Sequence, residues 1–146
     1  MSTLAETAVA KFLEGYNCSQ SVLHACHGRL SLDPNIALKV ACGFGGGMGR
    51  CQEICGALTG GIMALGLRYG RGEGEDPSHT QETYLKTQEL IASFKAKHGS
   101  LDCRDLLGCC DLRTEQGHKQ FQSAGLKHSK CVPCVRTVGD LLDKML

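Results

Sequence analysis

Apolar residues recur along the chain at helical spacing, and almost no segment alternates as a β-strand would. Capping residues set the predicted boundaries: Asn17 begins one helix, and Asp-Pro pairs begin two others. Ser100 and Ser129 are predicted caps of later helices. The segment 111–130 is polar, with one helical turn expected near Phe121. The predicted helices cover residues 4–14, 18–28, 34–42, 55–70, 77–98, a short stretch after 100, and 131–144.

The helix over residues 55–70 differs from the others because it is apolar on nearly every side. Gly56, Gly60 and Ala64 follow one another at four-residue intervals and share one face. Small side chains there let neighbouring backbones approach closely, which offsets the cost of about 1 kcal/mol for each interior glycine. The pattern predicts an all-α bundle of six to eight helices around this central Gly/Ala-rich helix, in a single domain over residues 1–146.

Composition and charge exclude several classes of protein. The chain has 146 residues with 16 Lys+Arg, 15 Asp+Glu, 5% aromatic residues and no Trp, so neither an electrostatic nor a base-stacking interface for nucleic acid is expected. The longest weakly polar stretch, residues 54–67, is too short to cross a bilayer. The first residues lack the basic and apolar regions of a secretory signal, which predicts a cytoplasmic protein without membrane insertion.

Ten cysteines are the most informative residues. In a reducing compartment they favour thiol catalysis or metal binding over structural disulfides. Cys18, Cys55, Cys103 and Cys131 are each predicted in the first turn of a helix, where free N–H groups and the helix dipole favour an anion. We therefore expect these four thiols to have lowered pKa values and to converge on one site.

The alternative for any one cysteine is a small buried hydrophobe. That interpretation is favoured for Cys26 and Cys42, which fall on apolar faces, whereas the adjacent Cys109 and Cys110 fit either role.

The segment Cys131-Val132-Pro133-Cys134 has the local form of a thiol–disulfide exchange motif, with Cys134 as the resolving thiol, but no strand is predicted before it. It also fits half of a metal site. Cys51 and Cys55 together with Cys131 and Cys134 would give four thiolates suited to zinc or an iron–sulfur cluster.

Residues 43–50, GFGGGMGR, are rich in glycine but match neither phosphate-binding pattern. The segment lacks the Lys-Ser/Thr ending of a P-loop, and no register satisfies G-x-G-x-x-G. The glycines instead predict a sharp turn near Cys55, where backbone N–H groups would hydrogen-bond sulfur and Arg50 would add positive charge. The six histidines show no ligand spacing.

The chain resembles the C_GCAxxG_C_C family, which is defined by four cysteines and a Cys-Gly-Ala-x-x-Gly motif. The motif is residues 55–60, CGALTG, and the other family cysteines resemble Cys18, Cys103 and Cys131. The similarity extends over about residues 12–142. It implies a redox-active protein with Cys131 resolving against Cys55, although Cys134 offers a second resolving thiol. Genes of this family often lie near transporter genes.

Three hypotheses follow. The first is a thiol–disulfide oxidoreductase with an unidentified redox partner. The second is a zinc or iron–sulfur protein, and the third is a non-enzymatic module accessory to a transporter. Four thiolates cannot lie together unneutralised, so the cysteines are protonated, paired as disulfides, or bound to a metal. The residues proposed for catalysis are Cys18, Cys55, Cys103, Cys131 and Cys134, and the first four of these are the alternative metal ligands.

Overall fold

The computed structural model describes residues 2–146, over which the chain forms eight α-helices and no strand beyond one isolated bridge. The predicted all-α class and the number of helices are confirmed. Two short elements interrupt the series, a 3-10 turn over Cys42–Phe44 and a π-helical turn over Lys127–Cys131. The helices are α1 Leu4–Leu13, α2 Cys18–Ala25, α3 Pro34–Ala41, α4 Gly56–Tyr69, α5 Ser78–His98, α6 Cys103–Leu107, α7 Glu115–Ser123 and α8 Val132–Met145.

Helix α4 lies at the centre, as its composition predicts. Its N-terminal half is buried and contacts α2, and α5 and α8 also pack against α4. A Cβ atom added to Gly60 would lie 2.6 Å from the carbonyl oxygen of Ser19, and one added to Gly61 would lie 2.8 Å from Val138. Glycine at these positions therefore allows the helices to approach more closely than alanine would.

Helix α1 closes the bundle by packing across α2 and α8. Its start is fixed by a capping box in which Thr3 and Glu6 satisfy each other's backbone N–H groups. Asn17 makes the same kind of box with Gln20 at the start of α2. The Asn17 cap fixes the position of Cys18, the first residue of α2.

Three sequence predictions for the later helices are wrong: the length of α7 and the caps assigned to Ser129 and Ser100. Helix α7 has nine residues instead of one turn, and Thr114 caps it. Ser129 does not cap the last helix, because its hydroxyl donates to the carbonyl of Gly125 within the π-helical turn. Ser100 stands two residues before the N-cap of α6, where its hydroxyl accepts from the Asp102 N–H and donates to Asp105.

The segment between α3 and α4 turns back on itself through several residues with positive φ, both glycines and others such as Met48 and Gln52. It ends in a short antiparallel pairing of Ile54 with Asp102. This pairing joins the start of α4 to the start of α6. None of the helices in residues 2–146 combines the length and the apolar character that crossing a membrane requires.

Candidate thiol redox site

The structure places the four predicted cysteines and Cys134 around a single cavity of about 800 Å³. Each begins or lies near the beginning of a helix. Cys18 and Cys103 are the first residues of α2 and α6, Cys55 and Cys131 are the N-caps of α4 and α8, and Cys134 lies in the first turn of α8. All are free thiols. The convergence expected from the sequence is therefore observed for Cys18, Cys55, Cys103 and Cys131.

The Cys-Gly-Ala-x-x-Gly motif places α2 directly against the start of α4. A Cβ atom on Gly56 would overlap the sulfur of Cys18, so only glycine leaves room for that thiol. The glycine-rich turn reaches the same sulfur from the other side, where the Gly46 N–H hydrogen-bonds it. The expected contact between this turn and a sulfur exists, with Cys18 as the acceptor.

The short backbone pairing between two distant segments brings Cys55 and Cys103 together. The Cys55 N–H donates to the carbonyl of Leu101 at 2.8 Å, and the Cys103 N–H donates to the carbonyl of Glu53 at 2.6 Å. Backbone hydrogen bonds of this kind fix relative position because both partners are held by their own segments. The separation of these cysteines in the sequence gives no sign of this contact.

The π-helical turn and the first turn of α8 supply the remaining two sulfurs. Cys131 is partly exposed, whereas Cys134 is only 3% exposed. The Cys55 thiol, itself 7% exposed, hydrogen-bonds the Cys134 sulfur. Cys134 is thus a direct neighbour of Cys55, two residues that the sequence placed together only in the alternative metal site.

The pKa values of four cavity thiols are raised, whereas their positions at helix N-termini predict lowered pKa values. These thiols are Cys18, Cys55, Cys103 and Cys131. Burial, and next the nearby Cys55, raise the pKa of Cys18 to about 12. Burial also raises the pKa of Cys103 to about 12, with Cys55 and Cys18 adding to the effect. For Cys131 burial and then the other thiols raise the pKa further still, although Lys127 opposes them.

Cys55 has its pKa raised chiefly by the hydrogen bond to Cys134 and secondly by burial. The prediction of lowered pKa values is therefore wrong, because desolvation and mutual repulsion outweigh the helix termini. Backbone N–H groups near these sulfurs, Gly46 and Ser19 at Cys18 and Ala57 and Leu58 at Cys55, oppose the rise in pKa. The resting reduced site is a cluster of neutral thiols. Four cysteines can therefore lie together there without the repulsion that four thiolates would cause.

The charged residues that line the cavity are all basic. Lys127, Lys130 and Arg50 are joined there by His118 and His128, and no Asp or Glu contributes to the lining. The Lys127 ammonium lies 4.8 Å from the centre of the Phe12 ring, which holds it at the cavity edge. Of these residues, only Arg50 was predicted from the sequence to lie near the site, because net charge and histidine spacing do not indicate that basic residues cluster.

The remaining cysteines lie outside this group or at its margin. Cys26 is fully buried in the main core, as the hydrophobic interpretation predicts. Cys42 is exposed and borders the cavity, so its predicted burial is wrong. Cys51 is exposed and does not line the cavity. Within residues 2–146, no three or more His, Cys, Asp or Glu side chains are arranged to hold a metal ion. This applies to both proposed ligand sets, Cys18, Cys55, Cys103 and Cys131, and Cys51, Cys55, Cys131 and Cys134.

Comparison with known proteins gives one match. The model of the family described as "putative redox-active protein (C_GCAxxG_C_C)" matches residues 16–145, nearly the entire chain. Neither the curated proteins nor the solved structures contain a significant match.

Proposed function

This chain belongs to the C_GCAxxG_C_C family of redox-active proteins, and we propose that it is a cytoplasmic thiol–disulfide oxidoreductase that acts through the cavity cysteines. The observation that supports this most directly is the meeting of Cys18, Cys55, Cys103, Cys131 and Cys134 in one cavity. Five free thiols at one place provide both an attacking and a resolving sulfur.

Cys18 is proposed as the thiol that attacks. It is partly exposed, and the N–H groups of Gly46 and Ser19 beside its sulfur lower its pKa against the effect of burial. These donors do not ionise the resting thiol, but they stabilise negative charge as the proton leaves to solvent. Preorganised N–H groups that are directed at a developing anion act in the same way in other active sites.

The proposed reaction conserves atoms and electrons. The Cys18 thiolate attacks a disulfide R–S–S–R, forming a mixed disulfide and releasing one thiolate, which takes up a proton. Cys55 then attacks the Cys18 sulfur, forming a Cys18–Cys55 disulfide and releasing the second R–SH. Two protein thiols are oxidised and one external disulfide is reduced to two thiols.

Cys134 supplies a second step that moves the disulfide into the interior. Its sulfur already contacts the Cys55 thiol. Attack of Cys134 on Cys55 would release Cys18 as a thiol and leave a Cys55–Cys134 disulfide, both of whose sulfurs are buried. Cys55 takes part in both disulfides, so the scheme requires Cys55 above all. Cys103 and Cys131 line the same cavity and can exchange with this set.

The test is the reaction of reduced protein with oxidised glutathione under anaerobic conditions, followed by disulfide mapping by mass spectrometry. The wild type should release two equivalents of glutathione and contain one disulfide that includes Cys55. Cys55→Ser should abolish the second release. Cys51→Ser is the matched control, because Cys51 is exposed and lies outside the cavity.

Two outcomes would overturn the proposal. One is full exchange by the Cys55→Ser protein. The other is stoichiometric iron or zinc in protein purified without oxygen, with thiolate-to-metal absorption and no reaction with the disulfide. That result would assign the same cysteines to a metal site.

A further inference from the structure

A second pair of thiols lies outside the cavity, in the loop that follows α6. Cys109 is exposed, whereas its neighbour Cys110 is only 8% exposed. The two side chains hydrogen-bond each other. They border a separate surface depression of about 510 Å³ that is lined also by Arg104 and Arg113. The pair therefore faces solvent on one side and the protein interior on the other.

The loop around this pair is held in place by a buried amide. Gln52 is 5% exposed, and its Nε2 donates to the carbonyl of Cys110 at 2.8 Å. Its Oε1 accepts from the N–H of Leu112 at 3.1 Å. A side chain that satisfies the Cys110 carbonyl and the Leu112 N–H, on either side of Asp111, holds in place the backbone that follows the Cys110 thiol.

Cys110 connects this surface pair to the interior. It packs with Leu107, Leu112 and Leu126 in a small apolar cluster, and Cys103 and Cys131 pack against the same cluster. Cys103 and Cys131 are also members of the cavity site. Cys110 therefore shares one apolar cluster with Cys103 and Cys131, between solvent at Cys109 and the cavity cysteines.

We propose that Cys109 and Cys110 form a second exchange site, which accepts disulfides carried by folded proteins and passes the oxidation through Cys103 to the cavity cysteines. The inference rests on the proposed function of the cavity. A disulfide on a folded protein reaches the exposed Cys109 more readily than Cys18, the attacking thiol of the cavity, which is only partly exposed and lies within the cavity lining.

The steps conserve atoms and electrons. The Cys109 thiolate attacks the partner disulfide and releases one partner thiol. Cys110 then attacks the Cys109 sulfur, releasing the second partner thiol and forming a Cys109–Cys110 disulfide. Cys103 attacks the Cys110 sulfur and frees Cys109, and a cavity thiol attacks Cys103 and frees Cys110. Each attacking thiol loses its proton and each released thiolate gains one.

Chain geometry predicts the direction in which the disulfide moves between the Cys109–Cys110 pair and the cavity. Adjacent Cα atoms lie about 3.8 Å apart, whereas disulfides usually join Cα atoms about 4.4–6.8 Å apart. A disulfide between neighbouring residues is therefore strained and readily reduced. The oxidation is expected to leave the surface pair and settle in the cavity, where the residues to be joined are distant in sequence.

The experiment compares two probes with the same disulfide chemistry but different size. One is a disulfide-linked dimer of a small globular protein that carries a single surface cysteine. The other is the disulfide dimer of a short peptide around that cysteine. Wild-type protein in its reduced form should cleave both. Cys109→Ser should slow cleavage of the protein dimer by about tenfold or more and leave peptide cleavage nearly unchanged.

Variants of the other thiols test the order of the steps. Cys110→Ser should accumulate a mixed disulfide between Cys109 and the protein probe, seen as a covalent adduct by mass spectrometry. Cys103→Ser should retain the Cys109–Cys110 disulfide and leave the cavity cysteines reduced. Cys51→Ser is the control for an exposed thiol of the same region and should match the wild type.

The two proposals fail in different ways. If Cys109→Ser cleaves the protein dimer as fast as the wild type does, the surface site is wrong and the cavity mechanism stands. If the cavity cysteines become oxidised by the protein dimer in Cys103→Ser as fast as in the wild type, the route through Cys103 is wrong. If wild-type protein cleaves neither probe, the proposed function itself is wrong.

Discussion

Replacing Gly60 with alanine should destabilise the protein, whereas the same change at Gly66 in the same helix should not. The Cβ of an alanine at Gly60 would lie 2.6 Å from the Ser19 carbonyl oxygen. That oxygen belongs to the backbone of α2 and cannot rotate away, so the two helices would have to separate. An added Cβ at Gly66 meets no atom within 4 Å.

Comparing Gly60→Ala with Gly66→Ala isolates the free-energy cost of overpacking at Gly60. Both substitutions replace an interior glycine of α4, and each gains about 1 kcal/mol from helix propensity. Overpacking a well-filled interior costs about 1–3 kcal/mol. The Gly66→Ala protein should therefore gain roughly 0.5–1 kcal/mol, and Gly60→Ala should be less stable than Gly66→Ala by about 1–3 kcal/mol.

Urea unfolding of the fully reduced proteins, followed by far-UV circular dichroism, measures this difference. Thermal unfolding should show it as well, as a separation of about 2–4 °C for each kcal/mol in a chain of this size. Equal stability of the two variants would refute the close packing of α2 on α4. The positioning of Cys18 by the family motif would then lose its structural basis.

Two further predictions concern pH and charge. Because burial keeps Cys18 and Cys103 protonated in the fold up to a pKa of about 12, and unfolded thiols ionise near 9.0, the unfolded state binds fewer protons above pH 9.0. The free energy of unfolding of the reduced protein should then fall by about 1.4 kcal/mol per pH unit for each such thiol up to about pH 12. Urea titrations at several pH values should show this slope, and Cys18→Ser should reduce it by one thiol's share. The basic lining of the cavity predicts that Lys127→Gln with Lys130→Gln slows exchange with anionic oxidised glutathione by about 3–10-fold at low salt and does not slow exchange with cationic cystamine. Equal slowing of both disulfides in stopped-flow assays would contradict the role assigned to this charge.

The sequence was sufficient at the starts of the early helices, where capping residues decide the structure, but not at Ser100 and Ser129. Asn17 caps a helix at the predicted residue, and Pro34 begins another because its fixed φ suits the first helical turn. Small residues at four-residue spacing identified α4 as the central helix. Such features depend on neighbours in the chain, so they can be read without knowledge of the fold.

Features that depend on contacts between distant segments were missed. Gly117 weakens the helical pattern of α7, yet glycine is required there because an added Cβ would collide with the backbone of Asp111. The contact of Cys55 with Cys134 needs the positions of α4 and α8 together. The pKa shifts depend on burial, which a one-dimensional pattern does not report.

The raised pKa values and the helix termini act at different stages of the same reaction. A buried thiol that was ionised at rest would repel its neighbours and the site could not assemble, so the pKa of Cys55 must be high in the reduced state. During exchange, one sulfur at a time becomes negative, and the N–H groups that lie beside Cys18 and Cys55 stabilise that charge without rearranging. The helix N-termini in this site therefore stabilise the transient thiolate, and burial keeps the resting thiols neutral.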